Sequence, residues 1–133
     1  MAAMNSVVDL SSEGEVALVT INSPPVNALS QAAREGLKRG VEALQASTMW
    51  LAQNGLKNPN DAGAGASDYL RLMGIVTVAW MWARMAKIAV TKSDDFHKRK
   101  LMCARYWMER MIPECPMLLE RIQAGSANVM EFN

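Results

Sequence analysis

The single histidine of this 133-residue chain lies beside two carboxylates, a combination that general acid–base catalysis uses. Asp94 and Asp95 precede His97 by three and two residues. A general base also needs a nucleophile or a water molecule within reach. Because the group falls where a helix is expected to begin, the spacing favours a solvated helix N-terminus over a catalytic pair. We expect no catalytic residue here and lean against an enzyme.

A short basic cluster follows the histidine. Lys98, Arg99 and Lys100 are consecutive, and Lys92 lies a few residues upstream. Such a cluster can contact a phosphate, for example the nucleotide end of coenzyme A. The alternative is a solvated helix face, which short charge runs usually form.

The whole chain contains 11 Met and 4 Trp, and most of them lie in its second half. These side chains suit either an acyl-chain pocket or a core and dimer interface, where Met fills irregular gaps. The pattern favours the second interpretation. The candidate residues for an apolar ligand or dimer surface are Met73, Trp80, Trp82, Met85, Trp107, Met108 and Met111.

The two cysteines, Cys103 and Cys115, are predicted to be buried free thiols. Twelve residues of straight helix would separate them by ~18 Å, which is too far for a disulfide. A single histidine and the absence of a CxxC pair cannot form a closed zinc site. No glycine-rich segment has nucleotide-binding spacing, so neither a metal nor a cofactor is expected.

Composition limits the classes of partner. The net charge of +1 gives no reason to expect nucleic acid, and half of the residues are hydrophobic, enough for one packed domain. The longest apolar stretch, Leu72 to Ala83, is shorter than the ~20 residues that a bilayer span needs. The N-terminus lacks a signal-peptide pattern. We predict a cytoplasmic protein.

Residues 6–22 are rich in β-branched residues and contain a turn at Ser11 to Gly14, which predicts a β-hairpin. A first helix is predicted from Ser30 to Asn54, where Gly55 stops it. Gly36 and Gly40 would allow a close helix crossing. The apolar stripe of this helix is predicted to comprise Leu37, Val41, Leu44, Thr48 and Leu51.

The rest of the chain predicts two more helices. Residues 55–66 are predicted to be a loop, and Ser67 or Asp68 to cap a helix that runs to about Lys92. That helix is apolar on nearly all sides, which indicates burial on more than one side. A third helix begins at Asp94 or Asp95, bends near Met111 and Ile112 because of the downstream prolines, and ends at Gly125.

These elements predict a mainly α fold, a three-helix antiparallel bundle preceded by a short N-terminal β-hairpin and completed by dimerisation. The hairpin segment covers 1–28 and the bundle 29–133. A homodimer is favoured because so short a chain has few helices with which to bury the second helix on both sides.

Residues 15–30, with the run Pro24-Pro25-Val26-Asn27-Ala28-Leu29, closely resemble the opening of the crotonase family of enoyl-CoA hydratases and isomerases. The resemblance covers about residues 5–44 and then stops. The glycine-rich loop that supplies the oxyanion-hole amide in that family, and its acidic catalytic residues, have no matching positions here. Residues 62–68 imitate the loop only in composition.

A second resemblance covers about residues 47–132. The segments 58–66, 69–74, 82–86, 100–106, 110–114 and 122–125 follow, in order, the pattern of the C-terminal helical domain of a subgroup of acyl-CoA dehydrogenases. The catalytic carboxylate and most flavin contacts of that family lie upstream of this domain. The resemblance therefore implies lineage and helical packing rather than dehydrogenation.

Together the two resemblances indicate a fusion of two fragments, joined near Leu44 to Ser47, with both parent active sites missing. The sequence predicts a non-catalytic, self-associating helical protein derived from acyl-CoA oxidation enzymes. The alternatives are a protein that binds acyl-CoA or another apolar ligand, and an accessory subunit of a fatty-acid oxidation enzyme.

Overall fold

The computed structural model describes residues 2–5, 8–13, 16–21 and 24–132, with side chains described from Gln31 onward. Three strands come first: β1 Ala2–Asn5, β2 Val8–Glu13 and β3 Val16–Ile21. They form an antiparallel sheet in the order β1-β2-β3, with β2 and β3 in register from Val8 opposite Ile21 to Glu13 opposite Val16. Parts of the predicted strands and turn, at 6, 7, 14 and 15, lie outside the described residues.

The rest of the chain is helical, which confirms the predicted mainly helical domain. The helices are α1 Pro24–Asn54, α2 Pro59–Ala89, α3 Asp95–Tyr106, α4 Glu114–Gln123 and the short α5 Ala127–Met130. A π-helical turn, Trp107–Met111, joins α3 to α4. Helix α1 is continuous through the predicted join at residues 44–47 and across the predicted domain boundary at 28/29.

Two helix starts differ from the sequence expectation. Helix α1 begins at Pro24 rather than Ser30, because proline fits the first turn of a helix, where the N–H groups have no intrahelical partner. Helix α2 begins at Pro59 for the same reason, after Asn58, whose side-chain oxygen accepts a hydrogen bond from the Asn60 N–H at 3.2 Å. The predicted loop at 55–66 is therefore wrong from residue 59 onward.

The predicted start and end of the third helix are confirmed, and where a bend was predicted the helix is interrupted between α3 and α4. Asp94 caps α3 by accepting a hydrogen bond from the His97 N–H at 3.2 Å. The π-helical turn ends where the Ile112 N–H donates to the Trp107 carbonyl, just before Pro113, which has no N–H to continue an α-helical ladder. Gly125 follows the end of α4 and has a φ of 69°, a conformation that favours glycine and does not continue a helix.

Contacts between helices give their directions. Gly40 of α1 lies against Val76 of α2, whereas Leu51, later in α1, lies against Gly65, earlier in α2. Helices α1 and α2 are therefore antiparallel. Gly36 lies against Met108, and Gly40 against Ile112 and Cys115, so the third helical segment runs parallel to α1. The result is an up-down-up arrangement.

Helix α1 faces the core with a stripe of small side chains, at steps of three and four residues. The members of this small-residue stripe are Ala33, Gly36, Gly40, Ala43 and Ser47, all buried. The Ser47 hydroxyl satisfies itself within the helix by donating to the Ala43 carbonyl at 2.8 Å. The predicted close crossing at Gly36 and Gly40 is thus confirmed.

The predicted stripe of larger residues on α1 is correct only in part, because its three leucines pack against the core whereas Val41 and Thr48 do not. Val41 is 45% exposed, Thr48 is also exposed, and the leucines of the set are half-buried at the edges of the crossing. The larger core side chains come instead from the other helices: Leu72, Ile75, Val76, Ile112, Leu118 and Ile122.

Polar contacts fasten α2 to the segment after it. Arg71 donates two hydrogen bonds to the Glu114 carboxylate, at 2.8 and 3.0 Å, and Arg121 pairs with Asp68 at 2.9 Å. In the first turn of α2, one Asp61 carboxylate oxygen accepts hydrogen bonds from the Ser126 N–H at 2.8 Å and the Ser126 hydroxyl at 2.7 Å. This last contact joins the start of α2 to the end of α4.

Helix α2 is, by length and composition, the one helix among the described residues that could cross a membrane, and 33% of its most apolar window is buried in the bundle. This is weak evidence for a span, because a core helix passes the same test. The cytoplasmic location stays a prediction.

We predict that Gly40→Ala destabilises the protein by about 1–2 kcal/mol, through overpacking of the crossing. The added Cβ would lie 3.0 Å from Ile112 Cδ1 and 3.1 Å from Val76 Cγ2. The matched control is Gly63→Ala, where nothing lies within 4 Å, and a gain of roughly 0.5–1 kcal/mol in helix propensity is expected. Urea unfolding measures both, and a Gly40→Ala variant as stable as Gly63→Ala would contradict the close crossing.

We predict that Asp61→Asn removes a pH-dependent part of the stability. Hydrogen bonds from the Ser126 hydroxyl and N–H hold the pKa of the Asp61 carboxyl below its ordinary 3.8. A lowered carboxyl pKa stabilises the fold above the ordinary value, and this contribution disappears as pH falls through the folded-state pKa. The free-energy difference between wild type and Asp61→Asn should therefore shrink below pH 3.8. Urea titrations over pH measure this difference, and a difference that does not change with pH would contradict the stabilising contact between Asp61 and Ser126.

Candidate functional site

The structure does not bring the seven predicted apolar-surface residues onto one surface. Met108 is 2% exposed and belongs to the core. Trp107 is half-buried. Its indole N–H donates a hydrogen bond to the Ile75 carbonyl at 3.0 Å, which fixes the ring against α2. Met111, Trp82 and Met85 are also half-buried, whereas Met73 and Trp80 are 39% and 48% exposed. The set therefore divides between core and surface.

The predicted phosphate contacts are largely engaged within their own helix and with α2. Lys98 Nζ lies 3.7 Å from the Asp95 carboxylate. Lys100 Nζ lies 5.7 Å from the centre of the Trp82 ring and 5.2 Å from that of Phe96. Of the three, only Arg99 lacks an ion pair or a ring contact among residues 31–132. The cluster lines no described cavity.

The His97 ring lies at the start of α3. Its Nδ1 is 2.6 Å from the Asp94 Oδ2, and both residues belong to the first turn. Hydrogen bonds from the His97 side chain and N–H hold the pKa of the Asp94 carboxyl below its usual range. This geometry is that of a helix cap, as the sequence suggested.

The two thiols differ in surroundings. Both are free, but Cys103 is exposed, so its predicted burial is wrong, whereas Cys115 is buried as predicted. Burial, with the nearby Glu114 charge, raises the pKa of the Cys115 thiol to about 11. A thiol with that pKa is protonated at neutral pH and is a poor nucleophile. No cluster of His, Cys, Asp or Glu suited to a metal ion occurs among the described residues.

The structure shows a groove that the sequence did not predict. It lies between the first half of α1 and the second half of α2, with a volume of about 450 Å³. Its lining is mostly apolar with three cationic side chains. The lining residues are Ala33, Arg34, Leu37, Trp80, Ala83, Arg84, Ala86, Lys87 and Val90. We call this the α1–α2 groove.

The cations of the α1–α2 groove have no counter-charge in the described part of the chain. No carboxylate of residues 31–132 forms an ion pair with Arg34, Arg84 or Lys87. The Arg84 guanidinium lies over the Trp80 ring, 4.8 Å from its centre, a contact that orients it along the groove wall. The groove thus combines an apolar lining with unneutralised positive charge.

Of the groove residues, only Trp80 was a sequence candidate. The missed signal was the spacing of Trp80, Arg84 and Lys87 at four and three residues, which places them on one side of α2. Their partners Arg34 and Leu37 lie more than 40 residues earlier, so only the antiparallel packing of α1 on α2 brings them together.

A family model described as "Acetyl-CoA dehydrogenase C-terminal like" matches residues 4–133. The chain belongs to this family. The match confirms the predicted resemblance to an acyl-CoA dehydrogenase C-terminal domain and extends it to nearly the whole length. As a member of the acetyl-CoA dehydrogenase C-terminal like family, the chain has an origin among fatty-acid oxidation enzymes. No curated protein and no solved structure matches it.

The family match gives no support to the predicted crotonase resemblance or to a fusion. It begins at residue 4 and runs through the predicted join at residues 44–47. The crotonase resemblance and the fusion therefore stay predictions.

We predict that a maleimide reagent labels the folded protein once per chain, at Cys103. Cys115 is fully buried and its raised pKa leaves little thiolate, which is the reactive form. Intact-mass spectrometry before and after addition of urea should show one label and then two. Two labels without denaturant would contradict the burial of Cys115.

Proposed function

We propose that this chain is a non-catalytic helical protein, derived from fatty-acid oxidation enzymes, that self-associates through the solvent side of α2. The observation that carries the proposal is the apolar character of that side. Its residues recur at steps of three and four, and we call them the outer face of α2. The outer face comprises Leu70, Met73, Gly74, Thr77, Met81, Met85 and Ile88.

The exposure of these side chains is large for apolar residues. Leu70 is 71% exposed, Ile88 is 61% and Met81 is 46%. From Leu70 to Ile88 the helix rises about 27 Å, and Arg84 is the one charged side chain at its edge. A contiguous apolar surface of this length is unusual on a monomer and marks an interaction site.

The outer face is self-complementary. A second copy can pack antiparallel on this face, with a twofold axis near the level of Ala79. Each residue of one α2 then faces a residue of the other α2, and the two residue numbers of each facing pair add up to 158. The facing pairs are Leu70 with Ile88, Met73 with Met85, Gly74 with Arg84, and Thr77 with Met81. Apolar residues meet apolar residues, and the long Arg84 side chain faces a glycine that has no side chain to displace. Such a closed twofold interface is the commonest form of homo-oligomer.

The chemistry of the described residues supports a non-catalytic role. The His97 ring is held by Asp94 in a surface helix cap, and the buried thiol of Cys115 has a pKa of about 11. Neither has a second group of the kind that activates a nucleophile. The proposal also includes the finer lineage, in which about residues 5–44 are of crotonase origin and join the rest of the chain near Leu44 to Ser47.

A second candidate function, binding of acyl-CoA or another apolar ligand, is favoured by the α1–α2 groove. The groove borders the outer face of α2: Arg34 and Leu37 of α1 form one wall, and Arg84 belongs both to the groove and to the proposed interface. Self-association therefore leaves the α1 wall of the groove free and engages Arg84.

We predict that Met81→Glu converts the dimer to a monomer. The change places a carboxylate at the centre of the twofold interface, where it would be buried without a partner. The dimer dissociation constant should rise by at least about 100-fold, corresponding to roughly 3 kcal/mol. Sedimentation velocity over a concentration series measures it.

The matched control is Met102→Glu, the same substitution at a methionine of α3 that is 71% exposed. This variant should remain dimeric. A wild-type chain that sediments as a monomer at all concentrations would contradict the proposal, as would equal effects of the two substitutions. Monomeric wild type that co-sediments with phospholipid vesicles would assign the outer face to a membrane instead.

A further inference from the structure

We propose that the α1–α2 groove binds an amphiphile with an anionic head group, a carboxylate or a phosphate, and an aliphatic tail. The inference deepens the second candidate function and rests on it: it assigns a location and a ligand charge to the apolar-ligand site. It also moves the head-group contacts from Lys98, Arg99 and Lys100, where the sequence suggested them, to the cations of the groove.

The shape of the groove suits a flexible chain. Its volume of about 450 Å³ lies in the range of roughly 300–1,000 Å³ that small-molecule sites have. Ala33 and Ala83 are small side chains on facing helices, and they leave the space between Leu37 and Trp80 open. A tail that enters this space removes apolar lining from water without displacing a packed side chain.

The charge of the groove selects the head group. Arg34, Arg84 and Lys87 line one cavity, and no carboxylate among residues 31–132 lines it with them. All three cations are exposed at the groove and repel one another, and an anion bound between them offsets that repulsion. Arginine also offers paired N–H donors that match the oxygens of a carboxylate or phosphate. A cationic or neutral head group gains none of this.

Trp80 and Arg84 link the two parts of the site. The guanidinium stacks on the indole at 4.8 Å, so the cation lies at the boundary between the apolar lining and the solvent. An anionic head group bound there keeps its tail against the Trp80 ring. The same ring is a fluorophore whose emission should respond to an occupied groove.

Isothermal titration of the full-length chain tests this with three twelve-carbon amphiphiles below their micelle concentrations. The probes are dodecanoate, dodecyl phosphate and dodecyltrimethylammonium. Both anions should bind, the cation at least about tenfold more weakly. The ratio between the two anions identifies the preferred head group. No binding of either anion, or equal binding of the cation, would overturn the proposal.

Variants locate the site. Arg34→Gln with Arg84→Gln should weaken anion binding about tenfold. The matched control, Arg99→Gln with Arg110→Gln, removes the same charge from exposed positions outside the groove and should leave affinity unchanged. Ala83→Leu narrows the groove with all cations intact and should also weaken binding. Unchanged affinity in the first or third variant, or an equal loss in the control, would overturn the assignment.

Two further readouts separate this proposal from the others. Circular dichroism melts of each variant, and of each protein–amphiphile mixture, show that the helices are intact when an affinity is compared. Sedimentation of the ligand-free chain reports self-association independently. A dimer that binds no anion refutes the groove site alone, whereas a monomer that binds anions refutes only the dimer.

Discussion

The small-residue stripe of α1 is the constraint on which the rest of the fold depends. Ala33, Gly36, Gly40, Ala43 and Ser47 carry little side-chain volume, so the axis of α1 approaches α2 and the third helical segment closely. Met108, Ile112 and Cys115 fill the space directly over the two glycines. A larger side chain at Gly40 would separate all three elements at once, because Val76 and Ile112 meet there from different helices.

This crossing also determines where the larger side chains of α1 go. Leu37 lies beside the crossing rather than in it, and its position at the edge gives the α1–α2 groove one of its walls. The close crossing of α1 therefore determines both the packing of the core and the position of the groove. Close contact of Gly40 with Val76 aligns the first half of α1 with the second half of α2, which places Arg34 across from Arg84 and Lys87.

Helix α2 has apolar residues on two opposite sides, and the bundle accounts for one. Its inner side, with Leu72, Ile75 and Ala79, is buried against α1 and the third helical segment. Most of the outer face is exposed to solvent in the bundle, with Met85 half-buried. An all-round apolar helix is expected to be covered all round, and the proposed twofold interface supplies the missing cover while leaving the α1 wall of the groove free.

Local signals predicted most element ends. Asp94 as a cap, Gly125 as a stop and the bend before Pro113 each depend on backbone chemistry within a few residues, which a sequence displays directly. Pro59 is predicted to lie in a loop because a proline between Asn58 and a glycine-rich run has the composition of a loop. In the structure it is the first residue of α2, and the alanines that follow continue the helix.

Features that depend on long-range packing could not be predicted in this way. Hydrophobicity alone points to Leu37 and Val41 as the core face of α1, yet close packing favours the glycines and alanines, which have no hydrophobic signal of their own. The groove combines residues from two antiparallel helices, so its cations appear in sequence as unrelated surface charges. The acetyl-CoA dehydrogenase C-terminal like family match identifies lineage, and the proposed function rests on the solvent side of α2.

The central claim is that α2 is covered by a second copy of the chain. Native mass spectrometry of the freshly expressed protein at micromolar concentration tests it most directly. We expect a dominant species with the mass of two 14.6 kDa chains, which dissociates to single chains on collisional activation. A spectrum that contains only the 14.6 kDa species would contradict it.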